Sequence, residues 1–204
     1  MTNQKSRVDR REFLQASAAI AIASSASSSV QAQASPMPSV MDQPVGAPLQ
    51  MRRVVTGHRD DGQSFVAIDE IMNNASSWRE GMQASTIWST GESPADNMDT
   101  QDGATRTLAT SDDNGTVFRI VKYDPGVAPR NHRTESIDYA IIISGEITMG
   151  LDEGEVTLRQ GDALVQRGTI HNWVNNGSVP CVVAFILCAA KPLEVGDRKY
   201  ESTG

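Results

Sequence analysis

From residue 52 onward the sequence is a succession of short runs rich in β-branched and aromatic residues, bounded by turn-forming residues. Pairs such as Asp61-Gly62 and Asn176-Gly177 separate consecutive runs. Many short strands at this spacing predict an all-β sandwich or barrel. The predicted strands are Arg53–Thr56, Ser64–Ile68, Ser85–Ser89, Thr116–Tyr123, Ile137–Ser144, Glu146–Leu151, Glu155–Leu158, Ala163–Gln166, His171–Val174 and Cys181–Cys188.

Two stretches between these strands have a different residue pattern. Residues 69–83 predict one short helix, and residues 90–115 predict a polar loop. The apolar run 182–187 predicts a strand that is buried on both faces. Residues 51–204 are therefore expected to form one β-barrel domain.

The N-terminal segment is a candidate export signal. Arg10 and Arg11 precede Phe13-Leu14, a mild alanine- and serine-rich stretch, and a small-x-small pattern that ends at Ala34. This order resembles a twin-arginine signal peptide over residues 1–34, which implies a periplasmic or secreted protein. Residues 35–50 contain four prolines and predict an extended linker or arm.

Charge and composition exclude several function classes. The formal net charge is -7, which argues against nucleic acid and against anionic membrane surfaces as partners. No uninterrupted apolar run reaches eighteen residues, so no membrane span is expected. Two cysteines cannot build a disulfide scaffold.

Two stretches of the predicted barrel carry chemically active residues at regular spacing. The first runs from residue 125 to 146 and the second from residue 161 to 175. The spaced residues are Gly126, His132 and Gly145 in the first stretch and Gly161, Gly168, His171 and Asn175 in the second. Together they resemble the two motifs of the cupin superfamily, most strongly over residues 116–190.

The resemblance to small single-domain cupins implies a jelly-roll fold, a double-stranded β-helix, here with an N-terminal β extension. It also implies a divalent metal ion (Mn, Fe or Zn) held by His132, Asp138 and His171. Such barrels commonly pair, so the resemblance implies a homodimer. The chain departs from the family pattern at Thr134, which replaces the second motif histidine, and at Asp138, which replaces the glutamate.

Strand geometry supports the same residues independently. Side chains alternate between the two faces of a strand, so His132, Thr134 and Asp138 share one face, as His171 and Trp173 do on their own strand. Two imidazoles and one carboxylate can hold a divalent ion with open positions for substrate. Because one motif histidine is missing, a cavity without metal stays open as an alternative.

Each candidate residue receives a role. His132 and His171 are expected to be catalytic imidazoles and metal ligands, Asp138 an anionic ligand or general base, and Thr134 a hydrogen-bond partner of substrate or water. The candidate substrate-binding residues are Arg119, Tyr139 and Trp173. Arg119 can bind a carboxylate through two N–H groups, although a surface salt bridge is the alternative.

The leading interpretation is an exported enzyme that acts on a small hydroxylated or carbonyl compound. Lyase, isomerase, decarboxylase and dioxygenase chemistry all fit the predicted residues. The alternative is a non-catalytic, metal-free periplasmic protein that binds or senses a small molecule.

Overall fold

The computed structural model describes residues 39–204, and the proposed export signal lies outside the described residues. The described chain is almost entirely β-structure, with two short 3-10 turns at Val40–Asp42 and Gly103–Thr105. Within this part of the chain there is no helix long and apolar enough to cross a membrane. The strands are β1 (Arg52–His58), β2 (Ser64–Ile71), β3 (Ser76–Arg79), β4 (Met82–Thr90), β5 (Thr116–Tyr123), β6 (Ser136–Ser144), β7 (Glu146–Gly150), β8 (Glu155–Arg159), β9 (Ala163–Arg167), β10 (Asn172–Val174), β11 (Cys181–Ala189), β12 (Leu193–Val195) and β13 (Arg198–Tyr200).

Two antiparallel sheets form the body of the domain. The larger has six strands in the order β3-β4-β5-β11-β6-β9, and the smaller has three in the order β10-β7-β8. Non-consecutive neighbours such as β5-β11 and β11-β6 show that the chain crosses between the sheets, as it does in a jelly roll. The predicted all-β jelly-roll class is confirmed, and the hairpin β1-β2 is the N-terminal β extension.

The main hydrophobic core lies on the inward faces of both sheets. Period-two alternation is clear on β6, where buried and outward residues follow each other along the strand. The core residues of the large sheet are Val117, Val121, Ala140, Ile142, Val183, Phe185 and Leu187. Those of the small sheet are Ile147, Met149, Leu158 and Trp173.

The arm that precedes β1 packs against the outer face of the large sheet. Leu49 is buried in a second cluster with Ile120 and Val182. Lys122, whose side chain is fully buried, donates from Nζ to the carbonyl oxygens of Pro44 and Ala47 at 3.2 and 2.5 Å. The arm is thus fastened to the barrel by a lysine that points away from the main core.

The predicted helix over residues 69–83 is wrong. This stretch contains the end of β2, the whole of β3 and the start of β4, with a turn at Gly81. Gly81 has φ +75°, a left-handed conformation that side chains disfavour and that fits the tight turn between β3 and β4. Hydrogen bonding to β4 outweighs the weak helical pattern of the sequence.

Candidate active site

The barrel contains a cavity of about 470 Å³ between its two sheets. Six of the seven residues proposed from the sequence line it: Arg119, His132, Thr134, Asp138, His171 and Trp173. They come from β5, β6, β10 and the segments that precede β6 and β10. Residues that are up to 54 positions apart in the chain therefore meet at one cavity because the strands cross between the sheets.

His132 and His171 are neighbours through their backbones as well as their rings. Each backbone N–H donates to the carbonyl oxygen of the other, at 2.9 and 3.0 Å. The ring centroids lie 4.2 Å apart with the ring planes tilted by 48°. This isolated antiparallel bridge sets the spacing of the two imidazoles.

The hydrogen bonds of the two rings determine which nitrogen carries the proton. Nδ1 of His132 lies 3.0 Å from the carbonyl oxygen of Arg130, and Nδ1 of His171 lies 2.9 Å from that of Thr169. A carbonyl oxygen can only accept, so each Nδ1 donates and each neutral ring keeps its lone pair on Nε2. Both rings therefore offer a basic nitrogen.

The cavity holds both imidazoles in their neutral form. Burial lowers the pKa of His171 to about 4, and the nearby His132 lowers it further in the same direction. Burial also lowers the pKa of His132 below its ordinary value. At neutral pH the two rings are consequently uncharged proton acceptors.

The pKa of Asp138 is shifted in the opposite direction from those of the two histidines. Burial raises its pKa to about 6, although hydrogen bonds from Ser136 and Thr134 favour the carboxylate. The Ser136 hydroxyl donates to Oδ1 of Asp138 at 2.5 Å and lies 2.8 Å from Oγ1 of Thr134. The three side chains form a buried polar row along the inward face of β6 and the short segment that precedes it.

Aromatic residues form the wall beside the histidines. Trp173 contacts His171 edge to face, with ring centroids 5.8 Å apart, and contacts Phe185 in the same way at 5.5 Å. Trp173 itself is buried, so its role is to support the His171 ring and to give the cavity an apolar side.

Tyr139 does not belong to the cavity, which corrects its proposed role in substrate binding. Its side chain is 45% exposed and lies on the outer face of β6, paired in register with Val165 of β9. The reason is strand alternation, because the face that turns Asp138 inward turns Tyr139 outward.

The structure also adds cavity residues that the sequence did not reveal. Arg79 and Arg130 line the cavity, and so does Phe185. Their positions depend on strand crossing, and no local pattern marks them. Ser136 has the inward parity that strand alternation also gives to Thr134 and Asp138, and the structure adds its hydrogen bond to Asp138.

The described residues fit a metal ion only in part. The pair of Nε2 lone pairs is a suitable set of imidazole ligands, with each Nδ1 held by a carbonyl oxygen. However, among residues 39–204 no group of three His, Cys, Asp or Glu side chains is arranged to hold an ion. Asp138 is one methylene shorter than glutamate and is held by Ser136. The expected three-ligand centre is therefore not formed by these side chains.

The fold and the two-histidine cavity define a class of protein: jelly-roll barrels with a polar cavity between their sheets. The cupin domain family matches residues 119–188, which run from within β5 through His132 and His171 to nearly the end of β11. Together with the relatives described next, this match shows that the chain belongs to the cupin family.

The relatives extend over most of the chain. A cupin-domain-containing oxidoreductase of Neurospora crassa, srdD, is 35% identical, and the alignment covers 74% of this chain and 81% of the relative. The cupin-domain-containing oxidoreductase fogC of Aspergillus ruber is 31% identical, with 78% and 82% covered. The solved structure of KdgF from Halomonas sp. is 16% identical, covers 58% of this chain and 89% of its own, and has a TM-score of 0.42.

Proposed function

We propose that the protein is an enzyme that transfers protons on a small hydroxylated or carbonyl compound bound in the barrel. One observation carries this proposal: the cavity combines neutral imidazoles, whose Nε2 atoms are free, with a carboxyl group of raised pKa. Groups whose environments push their pKa values apart are suited to separate roles as base and acid. A cavity used only for binding has no need of this combination.

His171 is the proposed base. Its pKa of about 4 keeps Nε2 unprotonated at neutral pH, and its Nδ1–H is fixed on the Thr169 carbonyl oxygen. His132, whose ring lies beside it at a tilt of 48°, is the second acceptor. A fixed tautomer spares the ring a reorganisation step before it takes a proton.

Asp138 is the proposed acid. In its protonated form it can return a proton to the bound compound, while the Ser136 hydroxyl steadies the carboxylate that remains. The step is balanced: the substrate loses one proton to an imidazole Nε2 and gains one from the Asp138 carboxyl group. The product is then an isomer of the substrate, and a proton shift between the two residues restores the enzyme.

Metal-dependent redox chemistry is the second candidate. The paired Nε2 atoms favour it, and the relatives srdD and fogC are named oxidoreductases. A divalent ion (Mn, Fe or Zn) would have His132 and His171 as ligands and would supply Lewis-acid polarisation of a carbonyl group. The described side chains do not complete the ligand set of such an ion.

Proton exchange tests the leading proposal directly. The full chain is incubated in D₂O with a panel of small aldehydes, ketones and hydroxy ketones, and the loss of carbon-bound hydrogen is followed by ¹H NMR. We expect catalysed exchange that falls by about 100-fold or more in His171→Gln and in Asp138→Asn. The outward Tyr139→Phe is the matched control and should keep its rate. A wild-type rate no faster than buffer would reject the proton-transfer proposal.

We also propose that residues 1–34 direct export by the twin-arginine route. The support is the order of the paired Arg10 and Arg11, the Phe13-Leu14 pair and the small-residue pattern at Ala32-Gln33-Ala34. This route carries folded proteins, so the barrel would cross the membrane with its cavity already formed.

A further inference from the structure

Arg119 is a buried cation that has no acidic partner in the described chain. Its residue is only 4% exposed, on the inward face of β5. Two of its N–H groups donate to the carbonyl oxygens of Ala109 and Thr110, at 2.7 and 2.8 Å. Among residues 39–204 no carboxylate forms an ion pair with it.

Arg53 is a second buried arginine in the same domain, and its contacts are those of a structural residue. Arg53 is also 4% exposed, but it forms ion pairs with both Glu70 and Asp102. Its two bonds to Asp102 are parallel and measure 2.7 and 2.8 Å. Burial of an unpaired charge is costly. The two carboxylates offset this cost at Arg53, whereas no carboxylate of the described chain offsets it at Arg119.

The guanidinium group of Arg119 is held in a fixed orientation. Its Cζ lies 4.8 Å from the centre of the Trp78 ring, while the Ala109 and Thr110 carbonyl oxygens fix two of its donors. Burial lowers its pKa to about 10, so it remains charged at neutral pH. A planar donor held in this way is preorganised for a carboxylate.

The cavity around Arg119 is positive although the chain as a whole is acidic. Arg79 and Arg130 also line it, and neither forms an ion pair with a described carboxylate. Asp138 is the single carboxylate among the lining residues of the described chain. The cavity thus favours an anion, whereas the net charge of -7 would repel one from most of the surface.

Arg119 and the proton-transfer residues lie at different places in the cavity. Arg119 pairs in register with Phe185 of β11, and Phe185 pairs with Ala140 of β6, two residues beyond Asp138. With ordinary strand spacing this puts the Cα atoms of Arg119 and Asp138 roughly 12 Å apart. A ligand held by its carboxylate at Arg119 would therefore present another part of its structure to Asp138 and His171.

We propose that the substrate is an organic carboxylate with an apolar body, and that Arg119 binds its carboxylate group. This inference rests on the proposed function, since it names the substrate class of that site. The apolar body packs against Trp173, Phe185 and Leu187, which line the cavity between the two ends. Affinity comes from the remaining N–H donors of a guanidinium that has already been desolvated by folding, including an Nε–H that has no partner among the described residues.

Matched pairs of acids and amides test the proposal. Binding of benzoate is compared with that of benzamide, and binding of hexanoate with that of hexanamide. Each amide has the same apolar group as its acid but lacks the negative charge. Thermal shift and calorimetric titration of the full chain measure binding. We expect both carboxylates to raise Tm and to bind at least tenfold more tightly than their amides. Equal binding of acid and amide, or binding of neither acid, would overturn the proposal.

Variants separate a ligand-binding role from a structural one. Arg119→Gln should weaken carboxylate binding at least tenfold and should lose less stability than Arg53→Gln, because it gives up hydrogen bonds to two carbonyl oxygens but leaves no carboxylate without its partner. Arg53→Gln should lose stability and keep its affinity for carboxylates at temperatures where it is folded. The exposed Arg52→Gln is the surface control for both measurements. If Arg119→Gln binds carboxylates as the wild type does, Arg119 is not the anion-binding residue. Should Arg119→Gln not fold, Arg119→Lys, which keeps the charge without the planar donor pair, gives the same test, and unchanged carboxylate affinity in it would overturn the proposal.

A different result would reject the proposed proton-transfer function. Asp138→Asn should keep carboxylate binding, because Asp138 lies away from Arg119, while losing proton exchange. Carboxylate binding that depends on Arg119, with no exchange in the wild type, would uphold this inference and reject the proposed chemistry.

Discussion

His132 and His171 are tied to each other by a reciprocal pair of backbone hydrogen bonds, 2.9 and 3.0 Å long, which brings their ring centroids to 4.2 Å. The proximity of the rings therefore does not depend on a bound ion or on flexible side chains. It follows from an antiparallel bridge between two segments that are distant in the chain. Each Nδ1 is then held by a carbonyl oxygen, and two Nε2 lone pairs remain in one cavity.

The pH dependence of turnover should be bell-shaped. His171 acts as base only above its pKa of about 4, and Asp138 acts as acid only below its pKa of about 6. We expect kcat/KM to fall about tenfold per pH unit below pH 4 and again above pH 6. The check is a pH profile of the exchange reaction over pH 3 to 8. A single rise through pH 6 would instead identify Asp138 as the base.

Asp138→Asn should stabilise the fold while removing activity. A carboxyl group whose pKa is about 6 when folded and 3.8 when unfolded stabilises fully below pH 3.8 and loses that contribution as pH rises through 6. The variant should therefore gain up to about 3 kcal/mol in free energy of unfolding above pH 6 and nothing below pH 4. Urea denaturation at pH 4 and pH 8 measures this. The exposed Asp152→Asn is the control, and an equal gain there would contradict the assignment.

Lys122→Met should loosen the arm that precedes β1. The fully buried Nζ binds the carbonyl oxygens of Pro44 and Ala47 and lies 3.4 Å from Asp124. Loss of this cation leaves the Asp124 carboxylate unpaired, at a cost of about 3–5 kcal/mol. Chemical denaturation measures the loss, and faster proteolysis near residue 46 should accompany it. Lys199→Met, which removes an exposed ion pair, should change stability by less than about 1 kcal/mol.

Metal content decides between the two candidate chemistries. Because the described side chains provide two imidazoles and no complete three-residue set, we expect the protein purified from metal-replete cells to hold far less than one transition-metal ion per chain. Elemental analysis gives the answer. One ion per chain, lost in His132→Ala and in His171→Ala, would establish the metal-dependent alternative.

The proposed export by residues 1–34 should depend on two arginines. Substitution of both Arg10 and Arg11 by lysine keeps the charge and should leave the protein in the cytoplasm, because the twin-arginine route requires the arginine pair. Fractionation of cells that express the full chain measures this. Arg7→Lys is the control and should be exported normally. Export of the double variant at the wild-type level would refute the proposed route.

The local sequence pattern was sufficient to predict most strands of the barrel and the shared face of three candidate site residues. Strands β5 and β11 were predicted nearly to the residue, since turn residues and β-branched runs are local signals. The same alternation put His132, Thr134 and Asp138 on one face, as the cavity lining confirms. The same alternation turns Tyr139 to the opposite face, where its side chain is 45% exposed, so the rule argues against its proposed role in substrate binding.

The sequence by itself determined the all-β class, the inward faces of the strands and the residue types available for chemistry, because strand alternation repeats every two residues. Tertiary structure alone decided that residues 76–79 form a strand, through hydrogen bonds to β4. It alone decided that Arg119 is buried without a carboxylate whereas Arg53 has two. Burial and pairing depend on groups far away in the chain, and only the crossing of the strands brings those groups together.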